Sequence, residues 1–211
     1  MKAEVRGLYA VTPDIVDTAE LTAKVEAALA GGASVVQYRN KVVGADLRVA
    51  QARALQHVCR AKGVPLIVND HLELAMAVGA AGVHLGKDDG SFVEARARIG
   101  PGKLLGISCY DRVDSAVSAV LAGADYVAFG SFFPSTVKPD AVHAPVVLLR
   151  EAEQKLDVPI VAIGGITLDN APQLISAGAD AVAVISALFS EPDIRAAAER
   201  FSRLFSSASA T

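Results

Sequence analysis

"AGADYVAFG", residues 122–130, has three counterparts in the same chain: "GGASVVQYR" at 31–39, "VGAAGVHLG" at 78–86 and "AGADAVAVI" at 177–185. Each reads Gly-Ala, two further residues, then Val. A glycine that stops a helix in left-handed geometry suits Gly32, Gly79, Gly123 and Gly178, and the apolar residues that follow suit a buried strand. The repeat therefore marks the end of a helix and the start of a strand, four times over.

The rest of the chain fills in the alternation. Short runs of Val, Ile, Leu and Ala predict strands at Gly7–Thr12, Ser34–Arg39, Pro65–Asn69, Gly82–Leu85, Leu104–Cys109, Tyr126–Gly130, Pro159–Gly164 and Ala181–Ser186. Both faces of these runs are apolar, as in parallel strands covered on both sides. Between them lie helical stripes: Leu21, Val25, Ala28 and Leu29; Val113, Ala116, Val117, Val120 and Leu121; Leu168, Ala171, Leu174 and Ile175. Asp70 with Glu73 and Ser91 with Glu94 have the spacing of helix-capping pairs. The repeated glycines precede strands two, four, six and eight, so a β-α-β-α quarter is used four times. This predicts an α/β protein, a single (β/α)8 TIM barrel with residues 1–211 as one domain.

Composition narrows the function. Twenty Lys and Arg against 23 Asp and Glu give a net charge of −3, with no basic stretch, no Trp and few aromatics. That argues against nucleic-acid binding by a charged face or a stacking platform. No apolar run approaches the ~18 residues of a membrane span, and residues 1–20 lack the apolar core of a signal peptide. Cys59 and Cys109 have no metal-ligand spacing and suit buried packing in a reducing compartment. The expectation is a cytoplasmic protein with small-molecule substrates, no nucleic acid and no membrane partner; self-association into a homo-oligomer stays open.

In such a barrel the chemistry sits at the C-terminal ends of the strands. Asp70 follows strand three and Asp89 follows strand four, so the two carboxylates can converge at the rim. Two carboxylates without a His/Cys cluster suit Mg²⁺, completed by water and phosphate oxygens. The same residues could instead serve only as helix N-caps. Arg39 offers a planar fork for phosphate, and Lys41 and Lys138 offer point charges. Gly164-Gly165 and the Ile185-Ser186 turn follow strands seven and eight, where barrels bind phosphate on backbone N–H groups, although a Gly-Gly pair can also merely relieve packing. His84 lies within strand four and reads as a packed side chain. No GxSxG elbow or Ser/His/Asp order points to acyl transfer.

Nearly the whole chain resembles the thiamine phosphate synthase family. The carrying stretches are "VVQYRNK", "IVNDHLELAMAVGAAGVHLGKDD", "GISC", "GADYVAFGSFFPSTVKPDA", "PIVAIGGI" and "GADAVAVISALF". The resemblance implies a transferase that joins an aminopyrimidine methyl diphosphate to a thiazole ethyl phosphate, releasing pyrophosphate. It places the pyrimidine diphosphate on Gln37, Tyr38, Arg39, Asn40, Lys41, Asn69, Ser108 and Lys138, with Arg39, Ser108 and Lys138 as catalytic residues. It puts Mg²⁺ on Asp70 and Asp89. Ser135, Thr136, Val137, Gly165, Ile185 and Ser186 would frame the thiazole phosphate. The implied mechanism is dissociative: pyrophosphate departs, a pyrimidine cation remains, and the thiazole nitrogen attacks. A thiazole tautomerase-type isomerase of the same fold would be expected to lose the pyrimidine-diphosphate residues, all of which are present here. A sugar-phosphate isomerase would need a positioned acid/base pair, and a non-catalytic thiamine phosphate sensor would bind without turnover.

Two positions depart from the family pattern. Lys87 stands where Gln is usual, and Val137 stands where a Thr hydroxyl is expected. Val and Thr share a shape, so Val137 forfeits a hydrogen bond rather than a course of the chain. Val137→Thr should raise kcat/KM about tenfold, equivalent to ~1.4 kcal/mol, part of the ~1.5–3 kcal/mol typical of a bond to a charged group. Steady-state kinetics with each substrate varied in turn checks this; no gain for either would mean that other donors already serve the phosphate.

Overall fold

Eight parallel strands close into a ring in a computed structural model that describes residues 5–134 and 143–208. The strands are β1 (Gly7–Val11), β2 (Val35–Tyr38), β3 (Leu66–Asn69), β4 (Gly82–Leu85), β5 (Leu104–Tyr110), β6 (Tyr126–Phe129), β7 (Ile160–Ile163) and β8 (Ala181–Val184). Around them run α1 (Thr18–Ala30), α2 (Ala45–Ala61), α3 (Leu72–Ala77), α4 (Phe92–Ile99), α5 (Val113–Leu121), α6 (Val147–Lys155) and α7 (Ala171–Ile175). A short α8 (Ser186–Phe189) follows β8, and α9 (Ile194–Ala208) packs on α1 and β1. The expected (β/α)8 barrel is therefore present, with strand limits within two residues of those read from the sequence.

The Gly-Ala repeat has one structural meaning at all four sites. Gly32, Gly79, Gly123 and Gly178 have φ of 96°, 67°, 98° and 107°. After each, the alanine N–H reaches back five residues: Ala33 to the Ala28 carbonyl, Ala80 to Ala75, Ala124 to Ala119 and Ala179 to Leu174, at 2.9–3.1 Å. This is the 6→1 bond of a Schellman stop. All four alanines are buried, so the stop also pins the helix end against the barrel. The next residue meets the sheet; Asp125 and Asp180 each use a carboxylate to accept an N–H near the start of the neighbouring strand, Leu105 of β5 at 2.8 Å and Ile160 of β7 at 2.9 Å.

Two cores result. The larger lies between strands and helices and takes in the whole α1 stripe, Leu21, Val25, Ala28 and Leu29. On α5 the stripe runs through Val113, Ala116 and Ala119, while Leu121 is 84% exposed. There the helix closes on the sheet through small residues, and the terminal leucine falls beyond the contact. The smaller core fills the barrel with Val11, Val35, Ile67, Leu104, Val161 and Ala181, joined by Tyr9 and Tyr126. Cys59 and Cys109 are buried and unbridged, and burial pushes both thiols up to about 12.

Glycine makes room inside this core. A Cβ on Gly82 would run into the Leu104 carbonyl, and one on Gly106 would run into the Tyr126 ring. Gly79 differs: nothing else lies within 4 Å of the space its Cβ would take. Gly79→Ala should therefore cost only the ~1–2 kcal/mol of left-handed backbone. Gly82→Ala should cost more, about 3 kcal/mol or above, because backbone has to move. Urea unfolding of the two variants checks that ranking.

Candidate active site

The rim above the strand ends is assembled in pairs. β1 and β2 supply the first. Thr12 Oγ1 accepts the Arg39 N–H at 2.9 Å and donates to the Arg39 carbonyl at 2.7 Å. Asp14 then takes both functional groups that follow: the Arg39 guanidinium at 3.1 and 3.2 Å, and the Lys41 N–H at 2.7 Å. Arg39 is thus a held cation, its side chain 13% exposed, with the rest of its fork available to an anion. Thr12 and Asp14 were not singled out in the sequence. Their signal was positional: Thr12 ends and Asp14 follows the first apolar run, at the same end of the barrel as the other rim residues.

β3 and β4 supply the two acids. The chain turns left-handed at Asp70, with φ of 62°, and the Asp70 N–H donates to the His84 carbonyl at 2.9 Å. Helical geometry begins only after His71, so the expected Asp70–Glu73 capping pair does not form; Glu73 pairs with Arg98 instead. Asp70 Oδ2 lies 3.4 Å from Lys41 Nζ. Asp89 is no helix cap either. Its carboxylate accepts the Gly86 N–H at 2.7 Å, and the cap of α4 is Ser91, which accepts the Glu94 N–H at 3.3 Å as its spacing predicted. The reading of these acids as mere N-caps is therefore corrected. Burial, and then the adjacent Asp70 carboxylate, raise the Asp89 pKa from its ordinary value. Two acids that push on each other are a place for a cation.

Beside them opens a cleft lined by Asn40, Lys41, Arg48, Asn69 and Asp70. Arg48, from α2, was not foreseen. One guanidinium nitrogen donates to the Val43 carbonyl at 2.9 Å, and its buried Nε has no hydrogen-bond partner. Tyr38 and Asn40 border the cleft with their polar ends engaged: both donate to Gln51 Oε1, at 2.8 and 3.0 Å. Gln37, Asn69 and Ser108 occupy inward positions at the upper ends of β2, β3 and β5, on the faces of Val35, Ile67 and Leu104. Lys87 Nζ sits 5.8 Å from the centre of the Tyr110 ring.

On the far side of the rim, Gly164 and Gly165 have φ of 103° and 61°. A Cβ on Gly165 would meet the carbonyls of Phe133 and Pro134, so packing alone requires glycine there. The Gly165 carbonyl accepts from Asn170 Nδ2 at 3.0 Å. Ile185 leads into α8, whose first residue is Ser186. Ser135, Thr136, Val137 and Lys138 lie outside the described residues.

His84 is the packed residue expected, but not an idle one. Its Nδ1 is 3.0 Å from Tyr126 Oη and its Nε2 is 2.8 Å from Ser108 Oγ. Burial lowers its pKa from 6.5 to about 4, so the ring is neutral near pH 7. Burial likewise raises Tyr9 and Tyr126 above the ordinary phenol range.

The sequence profile of the thiamine monophosphate synthase family matches residues 8–188. The chain belongs to that family. A thiamine-phosphate synthase of Thiobacillus denitrificans is 57% identical over 199 residues, covering 94% of each chain. Another, from Nitrosospira multiformis, is 54% identical over 204 residues, 97% of this chain and 87% of the relative. Among solved structures, thiamine phosphate pyrophosphorylase from Pyrococcus furiosus superposes with a TM-score of 0.84 at 31% identity, covering 98% of this chain and 96% of that one. As a thiamine monophosphate synthase family member the chain is a transferase acting in thiamine biosynthesis, with small phosphorylated molecules as substrates. Among the described residues no helix is long and apolar enough to cross a membrane.

The neutral imidazole has a consequence for stability. The unfolded chain binds the His84 proton below pH 6.5 and the folded chain only near pH 4. Between those values the unfolded state holds more protons, so stability falls as the pH drops, and the full loss is reached below about pH 4. His84→Gln should flatten the pH dependence of the unfolding free energy across this window, as measured by urea titrations at a series of pH values.

Proposed function

We propose that this rim joins an aminopyrimidine methyl diphosphate to a thiazole ethyl phosphate, forming thiamine phosphate and releasing pyrophosphate, on a single cytoplasmic barrel domain. The observation that carries the reading is the meeting of Asp70 and Asp89 beside Lys41, in reach of the same rim that holds Arg39 and Ser108. Arg39, fixed by Asp14, would bind diphosphate oxygens together with Lys41 and Lys138. Gln37 and Asn69 would orient the pyrimidine end from the barrel interior and Ser108 would reach the diphosphate, with Tyr38 and Asn40 shaping the cleft wall. Ser135, Thr136, Val137, Gly165, Ile185 and Ser186 would frame the thiazole phosphate.

The donor set also fits Mg²⁺. Two hard carboxylates face one another, with Lys41 as a nearby counter-charge. Among the described residues no three His, Cys, Asp or Glu form a metal group; the remaining ligands would be water and diphosphate oxygens, as this ion prefers. When bound, the ion supplies positive charge to the leaving diphosphate. The protein's own part is positioning and electrostatics. The cations favour charge gathering on pyrophosphate as its bond to the pyrimidine methylene breaks, and the two phosphate subsites keep the thiazole nitrogen in line with the resulting cation. No protein nucleophile is required.

Asp70→Ala and Asp89→Ala should each lower turnover roughly a hundredfold or more by removing an ion ligand. Their unfolding midpoints should stay near wild type, since neither carboxylate caps a helix. Pyrophosphate release and thiamine phosphate formation are followed together while Mg²⁺ is varied. Near-normal activity of both variants at limiting Mg²⁺ would remove the metal assignment. Saturable thiamine phosphate binding by the wild type without pyrophosphate release would make the protein a sensor.

A further inference from the structure

Five side chains from five strands form one hydrogen-bonded line across the inside of the barrel. Gln37 Nε2 donates to Tyr9 Oη at 2.9 Å, and Tyr9 and Tyr126 share an Oη–Oη bond of 2.8 Å. From Tyr126 the line passes through His84 to Ser108, at 3.0 and 2.8 Å. The two tyrosines are at most 1% exposed, Gln37 6% and His84 7%, so solvent does not complete their bonding. Only Ser108 opens toward the rim.

Each link could run in either direction, and the amide settles which. Gln37 Nε2 only donates, so Tyr9 Oη accepts there and has its own hydrogen left to place. The other polar partner of that hydroxyl is Tyr126 Oη. When Tyr9 donates to Tyr126, the Tyr126 hydrogen goes to His84 Nδ1. The imidazole then carries its proton on Nε2 and donates it to Ser108 Oγ. Every phenol and imidazole hydrogen in the line is used, and the Ser108 hydroxyl hydrogen is left for another acceptor. Any other order leaves a tyrosine hydrogen buried without an acceptor, which is costly.

We infer that this line fixes His84 as the Nε2–H tautomer and so holds the Ser108 hydroxyl as a hydrogen-bond donor toward an anionic oxygen at the rim. Tyr126 and His84 are then positioning residues acting through Ser108. The inference rests on the reading of Ser108 as a contact of the pyrimidine diphosphate. A hydroxyl already set as a donor favours a leaving group that is gaining negative charge, with no reorientation at the moment of reaction. A serine turned the other way would offer lone pairs to that charge.

The test has a spectroscopic arm and a kinetic arm. In protein labelled with ¹⁵N-histidine, the His84 signals are identified by their loss in His84→Gln. The expected spectrum shows a protonated Nε2 and a bare Nδ1; a protonated Nδ1 would overturn the inference whatever the enzyme's substrates. In kinetics, Ser108→Ala should lower kcat roughly 10- to 100-fold, the range of one hydrogen bond to a charged oxygen. Tyr126→Phe should lower kcat by about tenfold or less with the pyrimidine-diphosphate KM changed by no more than about twofold. In the Ser108→Ala background Tyr126→Phe should cost nothing further, whereas a merely structural role would lower activity equally in both backgrounds and would sink the proposal. A wild-type kcat in Ser108→Ala, beside an Nε2–H imidazole, would instead remove Ser108 from the substrate contacts, and the positioning role with it.

Discussion

β1 pairs on both sides, Tyr9 lying opposite Val35 of β2 and opposite Ala183 of β8. That double pairing closes the sheet, leaves no free edge and forces all eight strands to end on one rim. The chemistry depends on this constraint. Asp14, Arg39, Asp70 and Asp89 follow four different strands, yet ring order makes each the neighbour of the next. β3 and β4 are adjacent, so their acids meet; β1 and β2 are adjacent, so an aspartate from one loop can hold the arginine of the other.

Polarity is graded along the barrel axis. The lower interior is apolar, with Val35, Leu104, Val161 and Ala181. Above it comes a layer of neutral hydrogen-bonding groups, Gln37, Asn69, His84 and Ser108, and only then the charged rim. The order follows from desolvation. An unpaired charge inside the ring would be costly, whereas neutral groups can be buried if each finds a partner. The lowered pKa of His84 is the same rule acting on a titratable group. The middle layer thus separates an ionic site from an oily core without a buried charge.

The strands were legible because their signals are local: apolar runs, and a Gly-Ala stop whose geometry five residues decide. Asp70, Asp89, Arg39 and Lys41 followed from those positions, whereas Gln37, Asn69 and Ser108 were implied by the family resemblance. The Asp70 cap was misread because left-handed backbone at an aspartate leaves no mark in the residue pattern. Leu121 was misread because small residues, not large ones, face the sheet on α5. Thr12 and Asp14 act through a partner far along the chain, Arg39 lying 27 and 25 positions on, while Arg48 reaches the cleft from within α2, where a lone arginine looks like any solvated one. His84 read as packing, and its bonding to residues 42 and 24 positions away came only with the ring closed.

Tyr126 can lie across β5 only because residue 106 has no side chain. These two positions, on different strands, therefore behave as one heritable unit. A lineage that gains a larger residue at 106 before 126 has shrunk passes through a form with a displaced phenol and a broken polar layer. The reverse order passes through a cavity and an unpaired imidazole nitrogen. A change at either position therefore alters what the other can tolerate, a coupling set by the geometry of the barrel interior itself, apart from any demand made by substrate.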